Sequence, residues 1–191
     1  ASLSEVSASV KRSLEKLRSA EAMATIVART NPTFASTLDS MRRQAWMSLG
    51  LYWEHDFGFV GPAASGDERT AWEIRQQQNF SSYVDQLYAL ASANLANQIN
   101  YNSTNPRFYV FNPLGWVRTD YADYAYSGSL PVHVIDVKTN TEVPSQVINN
   151  NGTQYLRILA PNIASVGYKV FEIRNSTGAS FPNTGTVNNT N

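Results

Sequence analysis

Tyr101-Asn102-Ser103-Thr104-Asn105-Pro106 divides this chain into two stretches with different periods. A run so rich in polar and turn-forming residues interrupts any regular element. Before it, apolar residues recur at three- and four-residue steps, the spacing of a helix face. After it, alternation and turn residues dominate, the spacing of strands. The chain therefore reads as α+β: a three-helix bundle over 1–100, an antiparallel β-sandwich-like domain over 107–174, and a flexible tail over 175–191.

Working back from the divide, Phe80, Val84, Leu87, Ala91 and Leu95 form the stripe of a third helix that starts near Asp67-Glu68, acids that suit a helix N-terminus. Leu38, Met41, Ala45, Leu49 and Tyr52 share one face of a second helix, which delivers Glu54, His55 and Asp56 near its end. Gly58, Gly61, Pro62 and Gly66 then prevent regular structure. The first helix begins at Ser2, which makes a capping box with Glu5. Its stripe is Leu3, Val6, Val10, Leu14, Leu17, Ala20, Ala24 and Val27, and Asn31-Pro32 ends it, because the residue before proline is pushed out of the helical region. Three long helices with short links predict an up-down-up bundle.

Working forward, Phe108–Phe111 is an aromatic and β-branched run stopped by Asn112-Pro113. Val132–Val137 reads as a strand, Lys138–Thr141 as a turn and Glu142–Ile148 as the returning strand. Asn149-Asn-Asn-Gly152 is a turn signal, followed by strands over Tyr155–Leu159 and Tyr168–Ile173. Short strands at this spacing predict an antiparallel sandwich. The tail is Asn, Thr, Gly and Pro without periodicity.

Composition narrows the function classes. Hydrophobic residues make up 42% of the 191, enough for a core. Net charge is +0, so no basic surface calls for nucleic acid or an anionic membrane, and no apolar run approaches the roughly 20 residues of a membrane span. Ala1-Ser-Leu-Ser-Glu5 lacks the basic and apolar regions of a signal peptide, which an excised segment would have lost in any case. Without cysteine there is no disulfide, Cys-based zinc site or thiol nucleophile. Five sequons occur, at Asn79, Asn102, Asn151, Asn175 and Asn188. They matter only in a eukaryotic secreted protein, and in a chain this rich in asparagine chance matches are the commoner explanation.

The chemistry concentrates in Glu54-His55-Asp56, inside the aromatic run Leu51–Pro62. An imidazole with carboxylates is part of a hydrolytic zinc site. Three consecutive residues point about 100° apart on a helix, so they cannot all reach one ion while the helix stays regular. The alternative is that His55 caps the helix C-terminus, where a cation suits the dipole. His133 faces opposite to Val132 and Val134, toward solvent. Trp46 and Trp53 share a helix face and suit core packing, an interdomain contact or sugar stacking. Gly58–Gly61 lacks the Gly-Lys-Ser/Thr of a phosphate loop.

Several stretches together resemble one family. Arg43-Gln-Ala-Trp-Met-Ser-Leu-Gly-Leu-Tyr-Trp-Glu-His-Asp56 is similar to the segment of glycoside hydrolase family 38 α-mannosidases in which a helix ends in Gln-His-His-Asp. Val110-Phe-Asn-Pro-Leu-Gly-Trp-Val-Arg118 resembles that family's Phe-Asn-Pro-Leu-x-Trp-x-Arg. Val143-Pro-Ser-Gln146 and Val166-Gly-Tyr-Lys169 are similar to its later Val-Pro-Ser-Gln and Leu-Gly-Tyr pieces. The resemblance spans about Ala20 to Ile173 and keeps the family's order.

It implies a middle segment of a zinc-dependent, retaining exo-hydrolase of α-mannosides. That segment would be the helical bundle plus the first β-domain. The nucleophile, general acid and other zinc ligands would lie in a preceding catalytic domain, leaving no catalytic residue in this chain. By this resemblance His55 is a zinc ligand and Asp56 contacts the sugar hydroxyls of a mannose-containing glycan. Glu54 stands where the family has its first histidine, and Phe57–Pro62 replaces the family's loop. The chain alone is expected to be inactive and able to self-associate through bundle faces around Trp46, Trp53, Phe57 and Phe59. A non-catalytic carbohydrate-binding or protein-interaction module is the alternative.

Overall fold

Helical periodicity builds the first half. The computed structural model describes residues 3–54, 66–99 and 103–181. Helix α1 is Ser4–Ala28, a 3₁₀ turn follows at Ser36–Leu38, α2 is Asp39–Trp53 and α3 is Gly66–Gln98. The chain divides into two compact units, Ala1–Asn100 and Tyr101–Asn191. Among the described residues of the first unit there is no strand, and no described helix is long and apolar enough to cross a membrane.

Side-chain pairs give the helix directions. Ser9 pairs with Gln77, Ser13 with Ser81 and Lys16 with Asp85, so the partners rise together and α1 runs parallel to α3. Asn79 reaches back to Ser48 and Tyr52 to Ser7, so α2 runs the other way, giving an up-down-up bundle. Val10, Leu17, Ala20, Leu38, Ala45, Phe80, Tyr83, Val84 and Leu87 are its buried core. Met41, Leu49 and Tyr52 pack against that core from the predicted face of α2.

The capping box at the start of α1 does not form as expected. Leu3 occupies the N-cap, without a side-chain cap, and the helix starts at Ser4. Glu5 is then the second helical residue, not the third that a capping box requires. Its carboxylate instead accepts from Arg12, two turns on, at 2.6 Å. Ser2 lies outside the described residues.

The described residues of the second unit form seven antiparallel strands: β1 Arg107–Asn112, β2 Arg118–Ala125, β3 His133–Asp136, β4 Thr141–Val143, β5 Ser145–Asn150, β6 Thr153–Ile163 and β7 Gly167–Arg174. They form a four-stranded sheet in the order β1-β7-β3-β4 and a three-stranded sheet in the order β2-β6-β5. Val134, Val143, Phe171 and Ile173 of the first sheet share one core with Leu156, Ile158, Ala160 and Ile163 of the second. That two-layer arrangement is the sandwich-like domain the turn spacing predicts.

Three details differ from the sequence reading. The single strand expected over Glu142–Ile148 is two strands in two sheets, with the change at Pro144. Proline has no N–H for a ladder, but its carbonyl accepts from Leu159 N–H at 2.9 Å and ties the crossing to β6. Strand β2 was not expected at all. Its text repeats Asp-Tyr-Ala and has no β-branched run; β6, paired with it along its length, makes it a strand. Finally, the start of the tail is attached. Ser176 and Ala179 hydrogen-bond to His133 and Glu142 of the four-stranded sheet. Residues 182–191 lie outside the described residues.

The β5–β6 hairpin follows its turn chemistry. Asn150 pairs with Thr153, leaving a two-residue loop. Asn151 and Gly152 both have positive φ, +50° and +81°, as a type I′ turn demands. The Asn149 side chain accepts from Gly152 N–H at 3.1 Å and closes it.

Candidate functional site

The end of α2 carries the residues singled out from sequence. Trp53 is the last helical residue, and Glu54 is already extended, with φ −72° and ψ 124°. Its N–H still reaches Leu51 O, at 3.4 Å. Glu54 thus lies just outside the helix, not within it. His55 and Asp56, the expected zinc ligand and sugar contact, lie outside the described residues, as do Phe57 and Phe59. The helix that leads to them is anchored at both neighbours. Ser48 is buried and accepts from Asn79 Nδ2 at 3.3 Å, and Tyr52 Oη lies 2.8 Å from Ser7 Oγ on α1.

Trp46 and Trp53 do not pack into the core: they are 48% and 49% exposed. Trp53 meets Tyr52 edge-on, with ring centroids 5.2 Å apart. Trp46 borders a groove of about 500 Å³ along α1, with Leu14 and Leu17 on its floor and Lys11, Arg12, Glu15, Arg18 and Glu21 around it. Periodicity marked the shared tryptophan face. It could not say whether a neighbour covers that face, because stripe width alone does not count partners.

In the second unit Glu172, Asp123 and Asp136 are held in ion pairs. Glu172 is buried in the outward face of the four-stranded sheet. Arg174 Nε donates to it at 2.8 Å, Arg107 Nε at 2.8 Å, and Ser103 Oγ at 2.9 Å. These contacts, that of Arg174 first, hold its pKa down to about 2. A carboxylate held so far below neutrality is a poor general base. Asp123 forms a two-armed pair with Arg157 at 2.7 and 2.8 Å, which lowers its pKa. Lys169 Nζ donates to buried Asp136 at 2.7 Å. His133 is half-buried, not free in solvent: its Nδ1 lies 3.1 Å from Ser176 Oγ and 3.2 Å from Ser176 O. Among the described residues no three His, Asp or Glu side chains gather as a metal site.

The residue sequence reasoning passed over is Asn112. It is buried at the end of β1. Its two Nδ2 hydrogens are shared among Trp116 O at 2.7 Å, Ala164 O at 3.0 Å and Ile163 O at 3.2 Å, while Oδ1 accepts from Leu114 N–H at 3.1 Å. Val166, with φ +44°, donates its own N–H to Leu114 O at 3.0 Å. Positive φ is rare for a β-branched residue and persists only where the surroundings impose it. Asn112 thereby staples the 113–117 loop to the turn between β6 and β7. An asparagine before proline is a sequence signal for a turn. Its burial against a segment some 50 residues away has no local signature.

Comparison with models of known protein families and with curated proteins finds no match to this chain.

Proposed function

We propose that this chain is the middle segment of a zinc-dependent, retaining α-mannosidase-like glycoside hydrolase, contributing one metal and substrate corner of its active site. The observation that carries the reading is the contact of β1 and the loop after it with the start of β7. Two of the sequence pieces that resemble family 38, Val110–Arg118 and Val166–Lys169, are far apart in the chain. They meet where β1 pairs with β7, with Asn112 opposite Gly167 and Phe111 opposite Tyr168, and through the Val166 N–H to Leu114 O hydrogen bond. Pieces that are each weak alone are thus neighbours in one folded unit. The α+β order, bundle and then sandwich-like domain, is also what the resemblance implies.

In this reading His55 ligates zinc and Asp56 contacts sugar hydroxyls. One imidazole and a carboxylate fall short of the about three protein ligands of a catalytic zinc site, so the remaining ligands come from a preceding domain. Retaining hydrolysis also needs a nucleophile and an acid about 5 Å apart, and that domain would supply both. The deciding experiment is made on the intact parent protein. His55→Ala should abolish hydrolysis of an aryl α-mannoside and lower zinc content, while the 191-residue chain alone turns over nothing. A parent that keeps both zinc and activity after His55→Ala would return His55 to a helix-capping role.

A non-catalytic carbohydrate-binding or protein-interaction module is the second reading. The exposure of Trp46, Trp53 and Trp116 favours it, because open aromatic surface is what such modules present. A parent gene without an upstream domain holding further zinc ligands would decide for it.

A further inference from the structure

Three of the five sequons, at Asn79, Asn151 and Asn175, lie among the described residues and separate into two physical kinds, while Asn102 and Asn188 lie outside the described residues. We propose that Asn151 and Asn175 are N-glycan acceptor sites and that Asn79 is not. This stands independently of the hydrolase reading. Glycosylation joins the asparagine Nδ2 to the anomeric carbon of a lipid-linked oligosaccharyl diphosphate. The N–C bond forms, the bond from that carbon to the diphosphate oxygen breaks, an amide proton is lost and the lipid diphosphate leaves. The accepting Nδ2 must therefore be open to solvent in the finished fold, since a glycan is bulky and stays at the surface.

Asn79 fails this condition. Its Nδ2 donates to the Oγ of buried Ser48 between α2 and α3. The hydroxyl of its sequon, Ser81 Oγ, is engaged with Ser13 at 2.9 Å and Gln77 at 2.7 Å, along the α1–α3 contact. A sugar on Asn79 would have to break the bond to Ser48 that ties α3 to α2.

Asn151 and Asn175 meet it. Asn151 stands at the exposed tip of the β5–β6 hairpin, and adding a Cβ to its neighbour Gly152 meets nothing within 4 Å. Asn175 is exposed just past the end of β7. Among the described residues neither side chain has a hydrogen-bond partner. Their sequon hydroxyls, on Thr153 and Thr177, also belong to exposed residues.

The test uses the full 191-residue chain with an added secretion signal, expressed in a glycosylating eukaryotic cell. Secreted protein is treated with peptide-N-glycosidase in heavy-oxygen water and mapped by mass spectrometry. An undigested control separates spontaneous deamidation at Asn151-Gly152. Heavy-oxygen aspartate is expected at 151 and 175, with Asn79 unchanged. Thr153→Ala and Thr177→Ala should each remove one gel-mobility step. These variants are preferred to Asn151→Gln, because position 151 needs a positive φ. If the chain is retained in the cell, the retained protein is mapped by the same criterion for Asn151 and Asn175. Absence of glycan at either of them, or a glycan at Asn79 in the soluble secreted protein, overturns the proposal.

Discussion

Replacing Asn112 by alanine tests the staple at the heart of the second unit. The side chain serves three carbonyls and one N–H. A net hydrogen bond contributes about 1 kcal/mol, and a buried group left without a partner costs about 1–3 kcal/mol. The bond to Trp116 O is only partly buried, so that carbonyl can turn to water. Ile163 is buried, so its carbonyl cannot. Asn112→Ala should then cost about 3–5 kcal/mol, among the larger single-residue effects. For a domain whose whole stability is about 5–15 kcal/mol, that is a large share. With a urea slope of about 1–3 kcal/mol/M, the unfolding midpoint of the second unit should fall by roughly 2 M. The assay is urea unfolding followed by amide signals of Phe171 and Ile173, which report the sandwich and not the helices. Asn112→Asp should be no milder, since it turns carbonyl-facing donors into acceptors. A midpoint shift below about 0.5 M in Asn112→Ala would refute the reasoning, because no such network could then be stabilising the unit.

Four further outcomes are expected. Glu172 has a folded pKa of about 2 against 4.5 normally; a depressed carboxylate stabilises above its unfolded pKa, so this contribution should be full above about pH 4.5 and fade as pH falls toward 2, and Glu172→Gln should flatten that part of the stability–pH curve. Phe80 is almost wholly buried in the bundle, and Phe80→Ala should cost about 3–5 kcal/mol in thermal or urea unfolding, with a cost under about 1 kcal/mol speaking against the assigned core. His55→Ala should leave the stability of the chain alone nearly unchanged by calorimetry, whatever it does to zinc in the parent. Half-exposed Trp46 and Trp53 should drive concentration-dependent self-association that Trp46→Ser with Trp53→Ser reduces in sedimentation velocity, and unchanged association would move the contact elsewhere.

The regular elements were legible where their signal is local. The α3 stripe Phe80, Val84, Leu87, Ala91, Leu95 is buried as its spacing predicts, because a 3.6-residue period puts those side chains on one side whatever they pack against. Asn151-Gly152 turns the chain where its dipeptide says, because positive φ is tolerated there. The candidate site was legible only as a short motif at a helix end, and the structure adds that α2 stops at Trp53.

What the sequence determined by itself was the α+β division near residue 100, the helix faces and the hairpin turn, all set by periods and backbone preferences within a few residues. The tertiary structure decided the rest. Strand β2 exists because β6 pairs with it. The chain changes sheets at Pro144 because partners lie on both sides of it. Glu172 can stay ionised while buried because Arg107 reaches it from β1, and Asn112 is a staple because residues 163 and 164 lie beside it. Each of these depends on groups far apart in sequence, whose encounter is fixed by the packing of the whole unit and leaves no periodic trace in either segment.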